Sequence, residues 1–360
     1  DTKVGPQQHK QMMAMKAPTP DSMSLKGEIV STDVAIAEEG LAIARRDAAN
    51  RMKVAYYDWL YVAASIEINQ QVQSLLEQII EVAQSKIKTD KATYSSVIMA
   101  QVELAKLEDR IITLEAKRDT LRARINTLLG RAPEALLGTP SALMDQKLVP
   151  ALDALYELVV TQRQELKQQR LRISRMEQML KLGKTMTYPD ASMGQSYLED
   201  RAMVPSGTEE KTFQPIRALP TRNTAFFGYR DAYLKELEGR IASMRRKLDG
   251  MELESRQQVK EAWFALDTSW RSIELYQQSL LPQAEQSLAA AEAAYRSGSL
   301  AFISFLDAER TLLTFKLELE RAWRDFREAQ ARLDQLAGKP ITRNSMARNS
   351  IDGDEPEDEN

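Results

Sequence analysis

Lys53-Val54-Ala55-Tyr56-Tyr57, followed by Ser65-Ile66-Glu67-Ile68, is written a second time as Lys260-Glu261-Ala262-Trp263-Phe264 and Ser272-Ile273-Glu274-Leu275, 207 residues further along the chain. Ala123-Arg124-Ile125-Asn126, with Leu128 and Gly130 behind it, returns as Ala331-Arg332-Leu333-Asp334, with Leu336 and Gly338, at an offset of 208. One residue has therefore entered between the two pairs of matches. A repeat of this length whose only change in register falls near a predicted hairpin tip is the mark of one helical element present twice. Function in such a chain rests on how the hairpins assemble.

The repeated unit carries coiled-coil seams. Leu104, Leu107, Ile111, Leu114, Leu121, Ile125 and Leu128 follow an alternating three-four spacing, interrupted only where Arg118 occupies a step. Leu312, Phe315, Leu319, Ala322, Phe326, Ala329, Leu333 and Leu336 keep the spacing in the second copy. Leu234, Leu237, Ile241, Met244, Leu248 and Met251 keep it again on the segment leading into that copy. Stripes this narrow favour long helices packed side by side over a broad globular core. Glu320 and Arg327 fall off the seam and are expected on the exposed side.

Composition agrees with long helices. The 360 residues are 43% apolar and 28% charged, with only 14 Gly and 13 Pro to punctuate them. A net charge of −3 with both signs interspersed gives no field suited to nucleic acid, and the acidic run from Asp352 to Asn360 reads as a solvated tail. Cysteine is absent, which removes disulfides and thiol chemistry without fixing the compartment. No stretch of eighteen apolar residues offers a spanning helix, and no basic-plus-apolar signal segment stands at Asp1. The chain opens without Met, as a processed form or a fragment does.

These signals divide the chain. Residues 1–28 form an N-terminal segment with room for one residual strand, and 29–130 the first hairpin repeat, its outgoing helix running from about Gly27 to Gln84, on the order of 85 Å. That helix turns around Lys88 to Lys91, and the return stops at Gly130 with Pro133 beyond it. Residues 131–184 are a connecting helical region with one helix from about Leu152 to Leu182. Residues 185–230 are a β-hairpin or loop region. Residues 231–338 are the second repeat, going out from Tyr233 to Tyr295, turning at Arg296-Ser297-Gly298-Ser299 and returning to Ala337 before Gly338 and Pro340. Pro282 should kink its outgoing helix. Residues 339–360 are an acidic disordered tail.

The run Ala294-Tyr295-Arg296-Ser297-Gly298, then Phe305-Leu306-Asp307-Ala308-Glu309-Arg310-Thr311-Leu312, ending in Ala331-Arg332-Leu333-Asp334-Gln335-Leu336-Ala337-Gly338, resembles the last hairpin of the TolC-type outer-membrane efflux proteins. Val102-Glu103-Leu104-Ala105-Lys106-Leu107-Glu108-Asp109-Arg110 and Arg122-Ala123-Arg124-Ile125-Asn126-Thr127-Leu128-Leu129-Gly130-Arg131 are closest in wording to the heavy-metal efflux branch, of the CusC or CzcC kind. The resemblance covers roughly Leu25 to Pro340. It implies a mainly α fold, with long antiparallel coiled-coil hairpins in two repeats that form a trimeric helical barrel and a short or incomplete β-barrel portion.

The same resemblance implies a function and its residues. The expected protein is a homotrimer in the outer membrane that projects into the periplasm as a passive export conduit of a tripartite efflux or type I secretion system. It docks a periplasmic adaptor through its helical tips and an inner-membrane pump indirectly. The family's Tyr-x-x-Gly tip turn is matched by Tyr295 and Gly298, with Ser299 beside them, while the corresponding turn of the first repeat has Ile87 and Asp90. The plainer reading of Tyr295 is that it packs the hairpin end. The aperture positions six and nine residues after that glycine are Ser304 and Asp307. Three copies of Asp307 around an axis would hold cations and repel one another, and an exposed helix residue near a turn is the alternative.

The membrane portion departs from the family. Four strands per chain are expected there, each of about nine to eleven alternating residues. Glu199-Asp200-Arg201 and Glu209-Glu210-Lys211 interrupt any apolar band in 185–230, leaving Ala225-Phe226-Phe227-Gly228-Tyr229 as lipid-facing material. Either an N-terminal segment lies outside this chain, or the protein is a barrel-poor, largely periplasmic relative. His9 is the sole histidine and has no triad partners nearby, so no enzyme activity and no cofactor are implied. Met12, Met13, Met15 and Met23 could hold Cu(I) through thioethers, though Met is also a filler of irregular packing. Two alternatives to the conduit stay open. One is a periplasmic coiled-coil scaffold without transport; the other is an adaptor, which needs flanking β-domains that this composition does not supply.

Overall fold

The computed structural model describes residues 20–87, 94–140, 150–185 and 224–341. Among them run α1 (Pro20–Ile87), α2 (Tyr94–Leu128), α3 (Leu152–Gln162), α4 (Gln164–Thr185), α5 (Thr224–Leu275), a π-helical turn (Tyr276–Leu280), α6 (Leu281–Ser297) and α7 (Phe302–Ala337). The chain divides into two compact units, one of residues 1–39 and 168–250, the other of 40–167 and 251–360.

The smaller unit packs the starts of α1 and α5 with most of α4. Gln168 Nε2 donates to the Ile36 carbonyl at 3.1 Å and Thr32 Oγ1 to Gln178 Oε1 at 3.0 Å. On the other side Gln169 Nε2 donates to the Met244 carbonyl, and Arg245 pairs with Glu177. Leu237 and Ile241 are buried, as their seam requires, and Gly183 leaves just enough room for Leu234, 3.1 Å from where a Cβ would stand. The equivalent positions 207 residues earlier, Gly27, Val30, Val34, Ala37 and Leu41, are all exposed within the single chain. One seam thus finds a partner inside the protomer and its repeat counterpart does not.

The larger unit holds three apolar clusters. Ala55, Trp59, Val62, Ile66, Leu121 and Ile125 join α1 to α2. Leu155 and Val159 of α3 insert against Val259, Leu266 and Ile273 of α5 and Phe326, Leu333 and Leu336 of α7. Leu76, Ile79, Ala100 and Leu107 of the first hairpin meet Tyr295, Phe302, Phe305, Leu306, Leu313 and Leu317 of the second. Each fully buried Leu or Phe contributes roughly 1.5–3 kcal/mol relative to exposure, so these stripes dominate the packing of the hairpins. All seam residues of α2 and α7 named above are buried or half-buried. Glu320 and Arg327, expected outside the seam, are half-buried too, the latter with its guanidinium 5.5 Å from the Trp323 ring centroid.

Several boundaries differ from those expected. The first helix begins at Pro20, not near Gly27, so 20–28 is helix and no strand, and the first nineteen residues lie outside the described ones. The single helix expected from Leu152 to Leu182 is two, because Arg163 is extended (φ −60°, ψ 121°) and sends its guanidinium to Ser255 Oγ at 2.8 Å and Gln258 Oε1 at 3.1 Å. The fifth helix starts at Thr224, which makes Ala225 to Tyr229 helical rather than strand, while 186–223 lie outside the described residues. At Pro282, which cannot donate to the carbonyl four residues back, the helix widens over Tyr276–Leu280 and the Leu281 N–H reaches the Tyr276 carbonyl instead. The acidic run 352–360 and the first tip turn around Lys88 to Lys91 are also outside the described residues.

Candidate functional site

The second tip is built by a helix end that must reverse direction in four residues. Gly298 sits at φ +89°, its N–H bonded to the Tyr295 carbonyl at 3.1 Å, and Ser299 N–H closes the next turn onto Ala294 at 2.9 Å. This left-handed cap is open to a glycine without a Cβ penalty, and it satisfies two carbonyls that a helix end leaves over. Ser297 and Ser299 hydroxyls add bonds to the Ala294 carbonyl. Gly130 and Gly338 end the two return helices in the same conformation, as their places in the repeat predict.

Tyr295 faces inward. It is 4% exposed, stacked on Phe305 with ring centroids 5.9 Å apart and tilted against Phe302 at 5.4 Å, and burial pushes its phenol above the ordinary value. Its side chain packs the hairpin end, and Gly298 and Ser299 form the exposed surface of the turn. Asp90, the counterpart in the first repeat, lies outside the described residues.

Ser304 and Asp307 share the exposed face of α7 with Thr311 and Thr314, while Phe302, Phe305, Leu306 and Leu313 line the opposite face. The tip aromatics thus fix which way the aspartate points: burying Phe305 and Leu306 leaves Asp307 outward. Arg310, one turn on, pairs with Asp307 at 3.6 Å and with Glu103 of α2, whose carboxylate also takes Lys106 at 2.8 Å. Burial would raise Glu103, but the hydrogen bonds from Arg310 and Lys106 outweigh it and hold the carboxyl below its ordinary value. This bridge between the two hairpins, and the buried carboxyl of Glu309 beside it, were not singled out by sequence spacing. The signal was present in the stripe: Glu309 falls three residues after Leu306 and four before Leu313, at a core position.

Among the described residues no group of three or more His, Cys, Asp or Glu could hold a metal ion, and no helix is long and apolar enough to cross a membrane. Met23 is an exposed residue of α1; Met12, Met13, Met15 and His9 lie outside the described residues.

Residues 155–339 match the family of outer membrane efflux proteins. Among curated proteins, sequence comparison gives no match. Among solved structures the chain is similar to the outer membrane protein VceC of Vibrio cholerae, with 19% identity over 87% of this chain and 75% of that one and a TM-score of 0.69. It is equally similar to the open state of the MtrE outer membrane channel of Neisseria gonorrhoeae, with 14% identity, 94% and 81% coverage and a TM-score of 0.69. CusC, studied for its transmembrane channel formation, gives 16% identity, 88% and 74% coverage and again 0.69. Equal scores across these three mean that the likeness is to the shared fold.

Proposed function

The chain belongs to the outer membrane efflux protein family, and we propose that it is the passive conduit of a tripartite efflux or type I secretion system, trimeric and docked to a periplasmic adaptor through its helical tips. The observation that carries this reading is the two-faced α7. Its apolar face is consumed inside the protomer, and its other face, with Ser304, Asp307, Thr311 and Thr314, is polar and exposed. Three such faces closing round an axis would line a water-filled passage, with one carboxylate ring from Asp307 at the narrow end. The tip turn at Gly298 and Ser299 offers exposed backbone to the adaptor, and Asp90 marks the equivalent turn of the other hairpin.

Assembly follows from surface that one chain leaves uncovered. Gly27, Val30, Val34, Ala37 and Leu41 form an unpartnered seam on α1, and Ile98, Val102 and Ile112 are exposed on α2. A groove along the second hairpin is lined by small residues such as Ala262, Ser269 and Ala322 and by the charged Glu318, Arg321, Asp325 and Arg332. Closed cyclic symmetry buries such surfaces without leaving an open end.

The test is reconstitution into planar lipid bilayers. The conduit reading expects discrete cation-preferring conductance that divalent cations block, with weaker block in Asp307→Ala. A full-length, folded protein that inserts or binds at the membrane and never conducts would favour the scaffold reading.

A further inference from the structure

Glu309 stands where an apolar residue belongs. It is 3% exposed, in line with Phe302, Phe305 and Leu306 before it and Leu313 and Leu317 after it, and its Oε1 makes no hydrogen bond. The cluster to which that stripe belongs takes Leu76 and Ile79 from α1, Ala100 and Leu107 from α2 and Tyr295 from α6. It is therefore the joint between the two hairpins in their tip halves. A protonated carboxyl can be held in such a joint; an ionised one without a partner costs several kcal/mol in water-excluded surroundings.

The neighbouring groups do not supply that partner. On α2, Glu103 presents a like charge and already binds both Arg310 and Lys106. On α7 itself, Arg310 is turned to Glu103 and Asp307. On α6, Glu292 pairs with Arg296 at 2.6 Å, and Tyr295 is a neutral phenol in the same cluster. On α1, Glu77 and Glu81 are exposed.

We propose that Glu309 is a proton-operated latch between the two hairpins: protonated, it completes the apolar joint, and once ionised beside Glu103 it loosens the joint and lets the tip helices part. The inference concerns this joint alone and does not depend on the conduit reading. Burial first, and then the Glu103 charge, raise the carboxyl against the opposing pull of Arg310, to about 7 from an ordinary 4.5. Because the folded joint holds the proton where a free carboxyl has lost it, the joint is firmest below about 4.5 and weakens as pH rises toward and through about 7.

The chain has no cysteine, so paired cysteines can carry spin labels without background. Ala105 on α2 and Ile303 on α7 are exposed and can be replaced without opening the core. Distance distributions would be recorded on the full chain at about pH 5.5 and about pH 8, on either side of the expected transition. The parent protein should give a narrow distribution at the lower pH and a broader or longer one at the higher. Glu309→Gln, which mimics the protonated form, should stay narrow at both, as should Glu309→Leu, which fills the stripe with an apolar side chain. A parent distribution that ignores pH, or a pH response that survives in either variant that folds, overturns the proposal.

Discussion

Asn126 and Asp334, 208 residues apart, each clamp the chain that leaves its own hairpin, and they do so with opposite polarity. Asn126 Nδ2 donates to the Pro133 carbonyl at 3.0 Å and the Ala135 carbonyl at 2.7 Å. Asp334 Oδ1 accepts the Ile341 N–H at 2.9 Å, and its other oxygen takes Lys53 at 3.0 Å. The repeat has conserved the task of the position and exchanged the chemistry. The two residues are therefore not interchangeable. Asn126→Asp would set a buried carboxylate against two carbonyl oxygens and should lower stability by about 3 kcal/mol or more. Asp334→Asn keeps an acceptor for Ile341 and should cost only about 1 kcal/mol. Denaturant midpoints decide: equal losses would mean that these bonds do not set the exits.

Gly298→Ala should destabilise the second tip through backbone strain. A Cβ there meets nothing within 4 Å, so no clash is involved; φ at +89° is the cost, about 1–2 kcal/mol. Gly298→Asn should be milder, because Asn tolerates the left-handed region better than Ala. Hydrogen exchange across α6 and α7 should quicken near the turn while total helicity by circular dichroism stays unchanged. A global loss of helix would show that the turn nucleates more than itself. In the conduit reading the same substitution weakens adaptor binding.

Phe326→Asp should prevent folding of the second hairpin, since it places an unpaired charge in a fully buried site. The appropriate control is exposed Arg321, where Ala should change stability by no more than about 0.5 kcal/mol. Glu320 is unsuitable for comparison: it is half-buried, and burial pushes its carboxyl above the ordinary value, with Arg327 pulling the other way.

These positions show what the amino-acid order made legible. Seam residues such as Leu107 and Phe326 read correctly because a three-four spacing has one geometric solution, and Gly130, Gly298 and Gly338 marked helix ends because each takes positive φ. The break at Arg163 did not read, since neither Gly nor Pro marks it; it is set by distant partners, Ser255 and Gln258. Ala225 to Tyr229 alternates little and is rich in aromatics, which suits strand and helix alike over five residues. Tyr295 matched a docking motif by spacing, yet two phenylalanines further along the chain draw it inward. Half-burial of Glu320 and Arg327 depends on which helices flank α7, which periodicity along one helix does not encode.

Arg46 should govern acid stability where α3 gives way to α4. Its guanidinium binds Gln164 Oε1 at 2.8 Å and both oxygens of Glu165, and Gln164 Nε2 in turn binds the Gly338 carbonyl at 2.8 Å. Burial alone would raise Glu165, but the bonds from Arg46 and its own backbone N–H, with the charges of Arg46 and Arg163, carry it down to about 2. A carboxyl lowered on folding gives stability that is present above its ordinary 4.5 and is lost as pH falls toward 2. Arg46→Met should remove on the order of 2 kcal/mol at neutral pH and flatten the loss between those limits. An unchanged acid profile in the variant would assign the loss to other carboxylates. Gly338→Ala should act on the same junction, because a Cβ there would meet Gln164 Oε1 at 2.6 Å and the Gln162 carbonyl at 2.9 Å.

A conduit of this kind requires three protomers enclosing a lumen. Single-particle imaging of the purified full-length protein in mild detergent, with copy number counted in the same sample by native mass measurement, tests this arrangement. A trimeric conduit gives three copies of the chain around a hollow, water-filled tube, with the Asp307 face of α7 turned to the axis. A stable monomer at micromolar concentration, or a solid helical rod, would contradict it.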